Sequence, residues 1–239
     1  MKNIALNIDN LSFSYSDKAN VINDISIKIL ERENIGLVGS NGSGKTTLFL
    51  LICGVLEPSG GKIQILGENI QIKKFNPNVG FVFQNTDDQL FSPTVYDDIA
   101  FGLYNIGLNH YEVKEKVISV LKKDGLEQLI HRPNQHLSGG EKRKVCLATI
   151  QVMDPKIIIL DEPTSNLDMR ARRELITYFN RLNVTKLISS HDLEFIIETC
   201  DKTLLLKEGK IIAYDDTKKL LSNPKLMDEC HQEVPYSLR

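Results

Sequence analysis

Ile4, Leu6 and Ile8 alternate with polar residues, and so do Ile25, Ile27 and Ile29. Side chains on a strand point to opposite faces in turn, so both stretches predict half-buried strands of the antiparallel kind. Beyond them the pattern changes. Short apolar runs at 35–38, 79–83, 157–160, 186–189 and 203–206 alternate with helix-length segments. Runs of this kind, buried on both faces, predict a mainly parallel sheet with crossover helices.

Between Asn85 and Asp154 the strand pattern disappears, and 94–105, 111–123 and 139–153 read as helices. In the last of these, Val145, Ala148, Thr149 and Val152 fall on one face at helical spacing. A helical block is therefore inserted into an α/β core. The expected organisation is one domain, 1–239: a core from 1–85 and 155–222 with an N-terminal antiparallel β part, a helical subdomain at 86–154, and a tail at 223–239. The tail is polar and weakly patterned, so it reads as a loose surface segment.

Composition adds bounds. With 239 residues, 41% hydrophobic and 25% charged, the chain has the make-up of a globular protein with a sizeable core. Basic and acidic groups nearly cancel, 29 against 31, which weighs against a protein that holds nucleic acid by neutralising phosphates. The longest apolar run, 48–56, is about half the roughly 18 to 20 residues of a membrane span and is broken by Gly54. The N-terminus has no signal-peptide pattern. Cys53, Cys146, Cys200 and Cys230 are scattered without C-x-x-C spacing, so a reduced, intracellular setting is expected. Cys230-His231 reads as tail rather than as a metal site, having no partner ligands at a usable spacing.

Three segments carry chemistry. Gly39-Ser40-Asn41-Gly42-Ser43-Gly44-Lys45-Thr46 fits G-x-x-x-x-G-K-[ST], placed between a predicted strand and a helix opening near Lys45. Its glycines let backbone N–H groups wrap a phosphate chain, Lys45 reaches the β and γ phosphates, and Thr46 offers a hydroxyl to Mg²⁺. The second segment is Asp161-Glu162, delivered to the end of the strand at 157–160, where parallel sheets bind ligands. One carboxylate there can hold Mg²⁺, and the next can orient or deprotonate a water. Third, Leu137-Ser138-Gly139-Gly140-Glu141 precedes a helix. It is either a simple capped helix or a second phosphate-binding surface of exposed backbone donors.

These segments, in this order, resemble the ATP-binding cassette family across nearly the whole chain, from Ile4 to about Leu221. The resemblance implies a P-loop NTPase core binding ATP and Mg²⁺. It implies that Tyr15 stacks on adenine and that Thr47 joins Gly39 to Thr46 in holding the nucleotide. Gln84 corresponds to the Q-loop glutamine, with a part in catalysis and in holding Mg²⁺ beside Thr46 and Asp161. His191 corresponds to the switch histidine, acting on the γ-phosphate with Glu162. Ser165-Asn166-Leu167-Asp168 matches the D-loop, with Asn166 where a small residue is more usual. In this family Ser138, Gly139 and Gly140 of one subunit close over the nucleotide of another, so the partner expected is a second ATPase subunit, the same or different.

The segment from Val82 to Val95 resembles the ATPase subunits of energy-coupling-factor importers, and Asp87-Asp88-Gln89-Leu90-Phe91 within it most resembles the cobalt and nickel branch. Lys142, in place of the usual glutamine, also fits that group. The resemblance implies integral membrane and substrate-binding partners, a peripheral place on the cytoplasmic face of the cell membrane, and no nucleic acid. Many such subunits continue into an extra C-terminal helical segment, which is not expected here. It further suggests that Asp87 and Asp88 pair with arginines of the transmembrane subunit. Importers of biotin, thiamine or riboflavin use similar ATPases, and a soluble cassette of iron-sulfur assembly is an alternative of another class. A nucleic-acid-linked ATPase of translation or repair would usually show tandem cassettes or long coiled-coil inserts, and neither is present.

Overall fold

A computed structural model describes residues 3–239. The N-terminal strands β1 (Ile4–Phe13) and β2 (Ile22–Leu30) pair antiparallel, and β3 (Asn34–Val38) leads through the glycine-rich loop into α1 (Lys45–Ile52). β4 (Gly60–Ile65) and the short β5 (Glu68–Asn69) complete an antiparallel sheet in the order β2-β1-β4-β5.

The second sheet adds β6 (Val79–Val82), then β7 (Ile157–Asp161), β8 (Thr185–Ser189), β9 (Lys202–Lys207) and β10 (Lys210–Asp216). Its order is β10-β9-β3-β8-β7-β6, parallel except for the antiparallel hairpin of β9 and β10. Successive residues of β7 feed different cores: Ile157 and Ile159 join α1 and the antiparallel sheet, while Ile158 and Leu160 face the helices on the other side. That is why the run is apolar without alternation.

Between β6 and β7 lie α2 (Val95–Asn105), α3 (His110–Asp124) and α4 (Gly139–Gln151). Each has a side-chain cap: Thr94, Asn109 and Ser138, the last two in reciprocal capping boxes with Glu112 and Glu141. α4 packs on β6 at Gly80, where an added Cβ would stand 2.9 Å from Ile150 Cβ. Glycine there permits the close approach. α5 (Met169–Arg181) and α6 (Leu193–Thr199) cover the same face of the sheet.

Three expectations change. Ile4 is 42% exposed, because a bulge between Ile4 and Leu6 turns it out and brings Ala5 inward. α4 is buried around most of its girth rather than along one stripe, being enclosed by β6 on one side and α2 and α3 on the other. The tail is not loose: after α7 (Thr217–Leu221), α8 (Pro224–Glu229) sinks Met227 into the core, with Cys230 buried behind it. Its apolar positions were too few to show a period.

Because Met227 is 1% exposed and Tyr236 is 81% exposed, truncation should separate them. Met227→Ala is expected to lower stability by about 2–5 kcal/mol, and Tyr236→Ala by about 0.5 kcal/mol or less. Urea midpoints at constant m-value measure both.

Candidate functional site

The loop from Gly39 to Gly44 is shaped by backbone that only glycine adopts cheaply. Gly42 and Gly44 have φ of 76° and 109°. A Cβ on Gly44 would lie 2.8 Å from the Val21 carbonyl oxygen, and one on Gly39 2.2 Å from that of Leu206. The loop thus wraps a hollow at the N-terminus of α1. Lys45 folds back across it, donating to the carbonyls of Gly39 (2.8 Å) and Ser40 (3.2 Å). Burial pushes its ammonium below the usual lysine range, opposed by Glu162 and Asp161. Ser43 Oγ is buried with no hydrogen-bond partner.

Asp161 ends β7 with both carboxylate oxygens engaged. Oδ2 accepts from Thr46 Oγ1 at 2.7 Å and Oδ1 from Ser189 Oγ at 2.5 Å. The next residue turns sharply: Glu162 has φ of 47°, a left-handed conformation that costs a non-glycine residue about 1–3 kcal/mol. Its N–H is held by both the carbonyl and the hydroxyl of Ser189, at 3.1 and 3.0 Å. Glu162 Oε2 accepts from the His191 backbone N–H at 3.1 Å, while the buried Oε1 has no hydrogen-bond partner and lies 3.5 Å from His191 Nε2. That ring nitrogen also meets Asn41 Oδ1 at 2.8 Å.

These groups line a cleft of about 340 Å³, with Tyr15, Thr47 and Gln84 also on its walls. Tyr15 stands just beyond β1, its ring edge-on to Phe13 and its hydroxyl 3.3 Å from Thr47 Oγ1. Gly39, Ser40 and Ser43 form the loop behind. Ser138, Gly139, Gly140 and Asp168 are not in this cleft. They line a separate groove of about 920 Å³ between α4 and α5, and the two share no residue. There Ser138 and Asp168 cap α4 and α5. Hydrogen bonds from Ser138 hold the Glu141 carboxyl below the usual range.

The cleft fits a polyphosphate with a divalent cation. It combines a helix N-terminus, a buried ammonium and carboxylate beside hydroxyl in Asp161 and Thr46. The residues that would hold Mg²⁺ are Thr46, Asp161 and Gln84.

The ABC transporter family profile matches residues 22–165. The chain belongs to that family. An energy-coupling factor transporter ATP-binding protein of Methanosphaera stadtmanae is 38% identical over 97% of this chain and 86% of its own. A protein of Synechocystis sp. described as an ABC transporter ATP-binding protein is 45% identical, over 98% and 83%. The solved structure of CbiO1 from Clostridium perfringens, part of the ABC transporter complex CbiONQ, superposes with a TM-score of 0.83 at 33% identity, covering 95% of this chain and 94% of that one. The ABC ATPase thus hydrolyses ATP to power transport.

Sequence reasoning missed three residues of this ABC ATPase. Lys18 lines the cleft near Gly42, Ser189 bridges both acidic residues, and Arg143 is buried behind Gln84. The strand register pairs Asp161 with Ser189, which no local motif announces. Removing the hydroxyl leaves Asp161 Oδ1 without its donor and the Glu162 N–H with the Ser189 carbonyl alone. Ser189→Ala is therefore expected to reduce ATP hydrolysis by about 10–100-fold, with the fold intact by circular dichroism. A parental rate would remove Ser189 from the site.

Proposed function

We propose that this chain is the ATPase subunit of an energy-coupling-factor importer of cobalt or nickel ion, acting as a pair of subunits on the cytoplasmic face of the cell membrane. The observation that carries the paired reading is the separation of the two clefts, since the Ser138–Gly140 backbone does not reach the P-loop of its own chain. Gly139 supports it further. Its φ is not left-handed and a Cβ on it would meet nothing within 4 Å, so this fold does not itself require glycine there. A helical glycine costs about 1 kcal/mol against alanine. Open backbone donors at a helix N-terminus offer a phosphate-binding face to the nucleotide of a second subunit.

In the reaction, Lys45 and the loop N–H groups draw the β and γ phosphates into the cleft, and Tyr15 offers an aromatic face for adenine. Glu162, its Oε1 free of hydrogen bonds, takes a proton from the attacking water. His191, oriented by Asn41, faces the γ-phosphate. Mg²⁺, when bound, neutralises charge on the phosphates.

Membrane coupling is assigned to the surface beside Gln84. In the acidic turn Asp87 and Asp88 are both exposed, and one oxygen of Asp87 pairs with Lys142 at 2.5 Å. Beside them stands an edge-to-face pair of exposed aromatics, Phe91 and Phe101, whose centroids are 5.0 Å apart. A transmembrane subunit presenting a cation beside an apolar residue fits this surface. Its relation to a cobalt-type transporter rests on the likeness to CbiO1 and on the Asp87–Phe91 segment.

Two measurements test the reading. Glu162→Gln should bind ATP and pair while hydrolysis falls by about 10²–10⁴-fold, whereas Lys45→Ala should weaken binding itself. The tagged chain, expressed in its own cells, should co-purify with integral membrane subunits, and the complex should take up labelled cobalt or nickel. Uptake of a labelled vitamin instead would replace the metal assignment, and recovery without any membrane protein would overturn the transport role.

A further inference from the structure

The segment that carries Gln84 out of β6 is fastened to α4 along its length. Arg143 donates from Nη1 to the Phe83 carbonyl at 2.8 Å and from Nη2 to the Gln84 carbonyl at 2.9 Å. Gln89 donates to the Cys146 carbonyl and Thr149 Oγ1 at 2.9 and 2.8 Å, and accepts from the Phe83 N–H at 3.3 Å. Lys142 adds the ion pair to Asp87.

Arg143 is the unusual member. It is 3% exposed, its Nε has no acceptor, and the hydrogen-bond partners of its guanidinium are main-chain carbonyls rather than a carboxylate. Burying a cation without a counter-charge is expensive, and an apolar side chain would fill the space more cheaply. What the guanidinium adds is a rigid planar fork with a separate nitrogen for each of two successive carbonyls. Those carbonyls belong to the residues that aim Gln84 at the nucleotide. The helix bearing Arg143 begins at Gly139, one turn away, at the groove proposed to meet the nucleotide of the second subunit.

We propose that Arg143 is a positioning residue for Gln84, clamping it to α4 so that this glutamine and the Ser138–Gly140 end of the helix move as one piece. This rests on the reading of Gln84 as a residue that holds Mg²⁺ and takes part in catalysis. Without the fork, Gln84 is less often aimed into the cleft, so more Mg²⁺ is needed and the signal to Ser138 is lost, while nucleotide held by the P-loop alone is unaffected.

The test compares the full-length protein with Gln84→Ala, Arg143→Lys and the double variant, measuring ATP hydrolysis against Mg²⁺ concentration and ADP binding without Mg²⁺. Lysine keeps the charge and stem but replaces the planar fork with a single nitrogen on a flexible stem, so it holds the two carbonyls less rigidly. Arg143→Lys is expected to raise the half-saturating Mg²⁺ and lower the maximal rate by about tenfold, with ADP binding within about twofold of the parent. The double variant should be no worse than Gln84→Ala alone, because both changes remove the same function. If the losses multiply, or if Arg143→Lys keeps the parental Mg²⁺ dependence, the clamp is wrong while the reading of Gln84 stands. If Gln84→Ala alone is silent, the reading of Gln84 fails and the clamp with it. Arg143→Gln, which keeps an amide donor without a buried charge, replaces the lysine variant if that does not fold. Failure of both to fold would assign Arg143 to the core and overturn the proposal.

Discussion

The carboxylate of Asp161 is the tie on which the site depends. It sits 4% exposed at the end of a strand whose four preceding residues are all buried isoleucine or leucine. A charge so placed is tolerated only with hydrogen bonds to both oxygens, and Thr46 and Ser189 provide them. Those two bonds join the first turn of α1 to the ends of β7 and β8. The glycine-rich loop, the acidic pair and the strand leading to His191 are thereby fixed to one point. The left-handed turn at Glu162 is held by the same serine, so the geometry of the carboxylate proposed to activate water follows from that of the anion next to it.

From that point the molecule extends in two directions. The ends of the mainly parallel sheet carry the loop, the acidic pair and His191, and the helical insert carries the groove proposed to meet the nucleotide of another subunit. They share a core running from Val38 and Ile158 through α4 to Val113 and Val117. Gly80 lets α4 close on β6, and the 83–89 segment is laced to the same helix. Any movement of the 83–89 segment therefore engages a packed body rather than a loop. This is the mechanical property a transport ATPase needs at the surface where it meets its membrane partner.

Much of this was legible in the residues because the chemistry constrains them locally. Gly42 and Gly44 are written into the sequence by φ values that other residues avoid, and Asp161 by the uninterrupted run that buries β7 on both faces. What was not legible depends on contacts between distant segments. Ser189 gains its role from the parallel register with Asp161, and Arg143 looks like one charge in a solvated Glu141–Lys144 run until packing buries it. Asp87 and Asp88 look equivalent in sequence, yet Asp87 is the one that pairs with Lys142. Met227 has no periodic neighbours, and its burial follows from where α7 ends rather than from its own segment.

The central claim is that Asp161 and Thr46 form a cation-dependent phosphate site. Calorimetric titration of ATP into the intact chain and into Asp161→Asn, each with and without Mg²⁺, addresses it directly. Mg²⁺ should tighten ATP binding by about tenfold or more in the parent and by much less in Asp161→Asn, with metal-free binding retained in both. ATP binding that ignores Mg²⁺, or an equal gain in Asp161→Asn, would contradict the account.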